Sequence, residues 1–387
     1  MTKRVESKQM RVCHVTTVHP PFDTRIFHKQ CRSLASAGHD VHLVAQHSCD
    51  EIVDSVQIWG LPTAPNRLLR ILIWPWLAIK RILTLEPRPE IVHFHDPELL
   101  IYLSWLRLLG FRVVYDVHEN VAGSLRNKHY LPSLVGRMVA NIFSLIERVG
   151  LVAGLPTVHV MDTIAEQYPV PRYLVRNLPN RSLVSEAERA ITSSPWRLAY
   201  LGAITENRGA MTMLELLAGL VRDGHDVHLT LAGNIVPVEL QARMASFISA
   251  SNLGDRVTMT GRVEWKHGIS IVRDAHLGLC LLDPTPNYMN SLPTKALEYM
   301  SQGVPVVISN FDCFIPFVSK PNAGIMVDIT SADSIRREVG ELLNNPELLT
   351  TLGKNGKLAI RNDLNWENDF DTLLAAYREI LKDKPFH

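Results

Sequence analysis

A chain of 387 residues with 46% hydrophobic and 20% charged residues has a globular composition and room for two domains. Its net charge of +1 and pI near 7.8 exclude a general nucleic-acid-binding field, because backbone binders carry clustered excess Lys and Arg. The five cysteines, Cys13, Cys31, Cys49, Cys280 and Cys313, are odd in number and form no C-x-x-C pair, which excludes a disulfide framework and a cysteine zinc site and suits a reducing compartment. The opening "MTKRVESKQM" is polar and lacks the apolar core of a secretory signal, so a cytoplasmic protein is expected.

The chain opens with a strand pattern at 11–18, "RVCHVTTV", followed by "HPPFDTRI" at 19–26 and an amphipathic helix. That helix ends in "GHDVHL", residues 38–43, where the Gly suits a left-handed C-terminal position and a new strand begins. The same hexapeptide recurs at 224–229, again after a helix and again one element beyond an opening strand, "RLAYLGAI" at 197–204. The chain therefore starts one βαβ unit twice. Strand patterns "VQIWGLP", "EIVHFHD", "RVVYDVHEN", "PTVHVMD" and "RYLVRNLP" follow in the first half, mostly separated by helices such as 97–109 and 133–149. In the second half "RVTMTGRV", "HLGLCLLDP", "VPVVISN" and "AGIMVDI" alternate with helices near 237–252, 264–274 and 293–302. Such alternation predicts an α/β protein of two doubly wound parallel sheets. The polar stretch 180–196 reads as the linker, giving domains 1–185 and 186–365, with a last helix at about 366–382, in a segment 366–387 packing back toward the first domain.

The longest apolar run, "ILIWPWLAI" at 71–79, is far short of the ~20 residues a spanning helix needs. Arg67, Arg70, Lys80 and Arg81 flank it and two tryptophans lie inside. Segment 66–83 thus reads either as a core-facing helix kinked at Pro75 or as a helix lying on an anionic membrane surface.

Doubly wound sheets bind ligands at the carboxyl ends of their strands, so the unusual residues there are the candidates. In "NSLPTKALEYMSQGVPVV", Pro293 suits a first helical position, and free N–H groups with the helix dipole make an anion site. Either this is a surface helix with incidental charges, or it is a site in which Lys295 opposes the dipole unless an anion binds and Glu298 can accept from a pair of sugar hydroxyls. In "GAITENRG", Gly202 and Gly209 permit close backbone approach and Arg208 offers a bidentate phosphate contact. Neither a G-x-G-x-x-G fingerprint nor a Walker sequence occurs, which argues against dehydrogenases and ATPases. In "YDVHEN", His118 and Glu119 end a strand, where a histidine can hydrogen-bond a substrate hydroxyl. His93 and His95 alternate onto one face, yet no third ligand is set by spacing, so no metal is expected. Asp23 is either a helix cap or, with Arg25, a group that meets an acceptor.

Taken together, "VHPPFDTRIFHK", "GHDVHLVA", "VHFHDPELL", "YDVHEN", "RYLVRNLPN", "YLGAITENRG", "LTLAGN", "VTMTGRV" and "NSLPTKALEYMSQGVPVV" make the chain resemble the retaining GT-B glycosyltransferases of family four, a group that includes many bacterial polysaccharide and lipopolysaccharide transferases. The resemblance implies two Rossmann-like domains facing a cleft, a nucleotide-diphosphate sugar (UDP- or GDP-sugar) as co-substrate, and a glycan or lipid-linked acceptor, with no cofactor. It implies donor contacts from Gly202, Arg208, Gly233, Asn234, Arg262, Asn290, Ser291, Leu292, Lys295 and Glu298, the last matching the second Glu of the family's paired-Glu motif. It implies acceptor contacts from Pro21, Asp23, Arg25, His95, Asp96 and Glu119, and catalytic roles for His118, Arg208 and Glu298. Three departures stand out. Asn290 occupies the place of the first Glu, Ala203 that of a frequent Arg, and Asp23-Thr24-Arg25 that of a glycine pair. The alternatives are a GT-B sugar-nucleotide epimerase and a non-catalytic or divergent nucleotide-sugar-binding protein. Oligomeric state is left open.

Overall fold

The structure, a computed structural model, describes residues 9–118, 154–166, 168, 171–187 and 194–382. Glu119 and the expected helix 133–149 lie outside the described residues. The chain divides into two compact units, one of residues 1–177 with 369–387, the other of residues 178–368. The first break comes between Asn177 and Leu178, ahead of the polar stretch 180–196, and the second falls inside the helix Trp366–Lys382.

The first unit is built on β1 (Arg11–Val15), β2 (Asp40–Gln46), β3 (Glu51–Val53), β4 (Val56–Leu61), β5 (Ile91–Phe94), β6 (Arg112–Val117), β7 (Thr157–His159) and β8 (Arg172–Leu174). β1, β2, β5 and β6 are buried almost end to end, as a sheet covered on both faces requires. The order is β3-β4-β2-β1-β5-β6-β7-β8, parallel throughout except for the β3–β4 hairpin. Its first strand, β3, is three residues long and has no alternating apolar pattern; the hairpin turns through Asp54 and Ser55, at φ 50° and 63°, the left-handed pair a two-residue turn needs. The order reverses between β1 and β5, so Thr16, Thr17, His95 and Asp96 sit at the switch point. Segment 97–109, expected as one helix, is a 3-10 turn, a single α turn and a second 3-10 stretch. Residues 369–382 of the last helix belong to this unit, fastened by His93 Nδ1 to the Tyr377 hydroxyl (2.5 Å) and by Arg112 Nε donating to the Ile380 carbonyl (3.2 Å).

The second unit contains β9 (Trp196–Leu201), β10 (Val227–Ala232), β11 (Val257–Gly261), β12 (Leu277–Cys280), β13 (Val306–Ser309) and β14 (Gly324–Val327). All pair in parallel in the order β11-β10-β9-β12-β13-β14, with the switch point between β9 and β12. Leu198, Tyr200, Leu229, Leu231, Leu277 and Leu279 make its core with Met213, Leu217 and Leu220 of helix Ala210–Arg222. Each fully buried side chain of this kind contributes about 1.5–3 kcal/mol.

The repeated hexapeptide does the same work in both units. Gly38 and Gly224 lie at φ 86° and 89°, and the next N–H, of His39 or His225, returns to the Leu34 or Leu220 carbonyl (3.1 and 3.0 Å). The strand that follows pairs with the opening strand of its own sheet, β2 on β1 and β10 on β9.

Candidate active site

In the second unit, β9 delivers the chain to Gly202 and β10 delivers it to Gly233. Gly202 N–H donates to the Ala232 carbonyl at 2.8 Å, and both glycines hold positive φ, 132° and 156°. A Cβ on Gly233 would fall on the Gly202 carbonyl, and one on Gly202 would strike the Lys295 side chain. Two strand ends and a lysine can crowd together here only because neither glycine carries a side chain.

Lys295 comes from the helix Thr294–Ser301. Pro293, expected as its first residue, is buried one position earlier at φ −79°, so the orphan N–H groups begin at Thr294. Burial pushes the Lys295 ammonium below the ordinary lysine range, the Arg208 guanidinium adds to the shift, and Cys280 and Glu298 oppose it. Its Nζ lies 5.6 Å from the centre of the Tyr200 ring. Two cations near one another at a helix N-terminus make a site that an anion would stabilise.

Beside them opens a cavity of about 660 Å³ lined by Leu201, Gly202, Arg262, Val263, Glu264, Trp265, Thr294, Lys295 and Glu298. Four expected donor residues, Gly202, Arg262, Lys295 and Glu298, therefore line one space. Trp265, which opens helix Trp265–Asp274, donates its indole N–H to Glu298 Oε1 at 3.2 Å and so orients that carboxylate. No spacing rule singled out Trp265; its only signal was an aromatic at the head of a predicted helix.

The other donor candidates do not line this cavity. Arg208 Nε donates to the Tyr288 hydroxyl (3.2 Å), Ser291 Oγ to the Tyr288 carbonyl (3.0 Å), and Asn290 Nδ2 to the Pro286 carbonyl (3.1 Å), so these three are gathered by the turn 286–291. Asn234 and Leu292 act through their backbones, accepting from Ile204 (2.8 Å) and Thr294 (2.9 Å).

The switch point of the first unit is filled differently. Asp116, at the end of β6, is fully buried and held by Arg25 in a two-pronged pair, Nε to Oδ2 at 3.1 Å and Nη2 to Oδ1 at 2.9 Å. Gln30 Nε2 adds a third bond at 2.8 Å. Burial alone would push the Asp116 carboxyl up, but Arg25, then His118, hold it well below the usual carboxylate range. Around it runs a chain of imidazoles, His14 Nδ1 to His95 Nε2 at 3.0 Å and His95 Nδ1 to His118 Nε2 at 3.2 Å. His118 Nε2 lies 3.6 Å from Asp116 Oδ2, and its side chain, 21% exposed, is the one of these imidazoles that opens to solvent. Burial keeps His14 and His93 neutral to well below the ordinary 6.5 and brings His95 down to about 3.

Arg25, expected at the acceptor, is instead consumed by Asp116. Asp23 caps the turn that follows, Oδ1 accepting from Arg25 N–H (2.8 Å) and Ile26 N–H (2.9 Å). Asp96 is buried and accepts from Thr16 Oγ1 at 3.0 Å and from the Thr17 amide. His95 lies inside the network, and Pro21 is half-buried in the loop before Asp23. Glu119 lies outside the described residues. Asp116 stood in the quoted "YDVHEN" but drew no attention, since its partner Arg25 is 91 residues away. His95, Asp116 and His118 bring ligand atoms within 4.8 Å of one another, spacing that a metal ion could use. Asp116 Oδ2, however, already accepts from Arg25 and Gln30, and the guanidinium supplies the positive charge a metal would bring.

Comparison with known proteins places both units. Residues 184–359 match the family model described as glycosyl transferases group 1, and residues 23–180 match glycosyltransferase family 4. An alpha-D-kanosaminyltransferase from Streptomyces kanamyceticus is 25% identical over 181 residues, 47% of this chain and 45% of that protein. The chain thus spans about half the length of the curated relatives it matches. Among solved structures, a sucrose-phosphate synthase from Thermosynechococcus elongatus superposes with a TM-score of 0.75 at 18% identity, covering 97% of this chain and 100% of that one. Anabaena HepE, solved in complex with UDP and glucose, gives a TM-score of 0.68 at 11% identity over 96% and 100% of the two chains. With two family models running from residue 23 to residue 359 and GT-B neighbours along its length, the chain belongs to the GT-B glycosyltransferases of the group 1 and family 4 type.

Proposed function

We propose that the chain is a retaining glycosyltransferase that moves a sugar from a UDP- or GDP-sugar to a hydroxyl acceptor in the building of a bacterial glycan. The observation that carries this reading is the pairing of Lys295 and Arg208 at the head of helix Thr294–Ser301, beside a cavity in which Trp265 holds Glu298 in place. A nucleotide diphosphate fits those groups. Its phosphates take the helix N–H groups, Lys295 and Arg208, and its ribose hydroxyls donate to Glu298.

In the reaction the bond from the sugar's anomeric carbon to the phosphate oxygen breaks, its electron pair leaving with the diphosphate. The two cations and backbone N–H groups stabilise that charge without a metal ion. The acceptor hydroxyl bonds to the anomeric carbon on the face just vacated, and its proton passes to the departing phosphate oxygen. His118 is assigned to hydrogen bonding with the transferring sugar, and Asp116, fixed by Arg25 and Gln30, stands behind it as a positioning residue.

A thermal-shift screen against UDP, GDP, ADP and their sugars tests the reading, since a ligand that binds only the folded state raises Tm. One nucleotide diphosphate is expected to raise Tm, with transfer greatly reduced in Arg208→Ala and Glu298→Ala. Near-normal transfer in both variants would sink the assignment. A second reading, donor binding without turnover, draws on Asn290, whose amide bonds to the Pro286 carbonyl rather than lining the cavity. It predicts donor binding with no product from any acceptor.

A further inference from the structure

We infer that the outward faces of helix Arg67–Leu83 and of the neighbouring segment 97–109 form one docking surface for an anionic lipid bilayer. The helix buries Trp74, Pro75, Ala78 and Ile82 against its unit. A surface helix ordinarily turns a polar stripe to solvent. This one instead turns out Leu72, Ile73 and Trp76, with Leu72 50% and Trp76 55% exposed. The apolar surface does not stop at the helix, because Trp76 packs edge-on against Tyr102 with ring centres 5.5 Å apart. Past Tyr102 the chain exposes Trp105 (66%), Leu108 (78%) and Leu109. The core-facing face expected from the sequence is there, in Trp74, Pro75, Ala78 and Ile82, and the membrane reading rests on the second apolar face that the helix turns outward.

Charge decides the occupant. Residues 67–83 carry Arg67, Arg70, Lys80 and Arg81 and no acid, with Arg70 paired to Glu98 and Arg81 to Asp50, which leaves Arg67 and Lys80 as the cationic rim. The single acid of 97–109, Glu98, is already gripped by Arg70 at 3.0 and 3.1 Å and by Thr17 at 2.8 Å. Arg67 and Lys80 stand exposed beside the apolar stripe. A second copy docked symmetrically would set these cations against one another, and a nucleic acid would gain little from leucines. Apolar side chains that enter the acyl boundary, tryptophans at the headgroup level and a cationic rim match an anionic lipid surface. Among the described residues no helix is long and apolar enough to cross a membrane, so the contact lies along the surface.

The test is co-sedimentation of the full chain with phosphatidylcholine vesicles and with vesicles containing phosphatidylglycerol, at low and high salt. The inference predicts pelleting with the anionic vesicles, weakened by salt, and a loss of about tenfold or more in partitioning for the double variant Trp76→Ser, Trp105→Ser. Arg67→Glu with Lys80→Glu should remove the preference for anionic lipid. All four residues are exposed and outside the proposed catalytic groups, so an unchanged Tm certifies the variants. Failure of the wild-type chain to pellet with anionic vesicles, equal pelleting of the tryptophan variant, or a lipid-free dimer that this variant abolishes would each overturn it. Pelleting needs no donor, so this inference and the transferase reading can fail separately.

Discussion

The two switch points have the same topological origin and opposite contents. In the first unit the buried charge beside the crevice between β1 and β5 is met from within, with Asp116 answered by Arg25, Gln30 and the imidazole chain. In the second unit the crevice between β9 and β12 is open, and Lys295 and Arg208 sit beside it near enough for one to disfavour the charge of the other. A buried charge that is paired within the fold is architecture, whereas cations gathered at an open cavity are complete only with an anion from outside. Removing charge should therefore unfold the first site and merely empty the second.

The largest effect expected is Asp116→Ala, which leaves the buried Arg25 unpaired and should cost about 3–5 kcal/mol of stability. Denaturant unfolding measures it, and pairing the change with Arg25→Met should restore much of the loss. If Asp116→Ala unfolds at the wild-type midpoint, the architectural reading of this site is wrong. Lys295→Ala should do the reverse, losing about 1.5–3 kcal/mol of nucleotide-diphosphate binding, as for hydrogen bonds to charged groups. It should also keep or raise Tm, since burial already disfavours the ammonium.

Acid separates the two sites further. The unfolded chain protonates its histidines near 6.5, while in the fold His95 resists down to about 3 and His14 and His93 resist well below 6.5. The unfolded state therefore binds more protons in that window, and stability falls as pH drops through it, by up to about 1.4 kcal/mol per pH unit for each imidazole. Unfolding midpoints followed from pH 6.5 downward should show this slope, reduced in a His14→Gln, His95→Gln variant. The smallest effect is Trp265→Phe, which removes one hydrogen bond to Glu298 and should weaken nucleotide affinity by about 0.5–1.5 kcal/mol, read by titration with Tm unchanged.

Much of this was legible in the sequence. Strands buried on both faces are near-continuous apolar runs, so β12 and β13 could be placed from "LGLC" and "VVIS", and the repeated "GHDVHL" disclosed two sheets begun alike. That Gly202 and Lys295 come to one cavity was legible because helix termini and strand ends make local demands on residue type. What was hidden depends on distant partners. Arg25 looked like a loop residue reaching for a ligand until the fold brought it 91 positions to Asp116. Arg208 meets Tyr288 across 80 positions, and Trp265 meets Glu298 across 33. β4 was legible in "VQIWGLP", but its hairpin partner β3 was missed because a three-residue strand bearing Glu51 and an exposed Ile52 carries no period to detect.

The central claim is that the open crevice of the second unit is a nucleotide-diphosphate site. Its most direct test is calorimetric titration of UDP and GDP into the wild-type chain and into the double variant Arg208→Ala, Lys295→Ala. The account predicts that one nucleotide binds the wild type and that its affinity falls at least about a hundredfold in the variant, with folding intact. Unchanged affinity in the variant would contradict it.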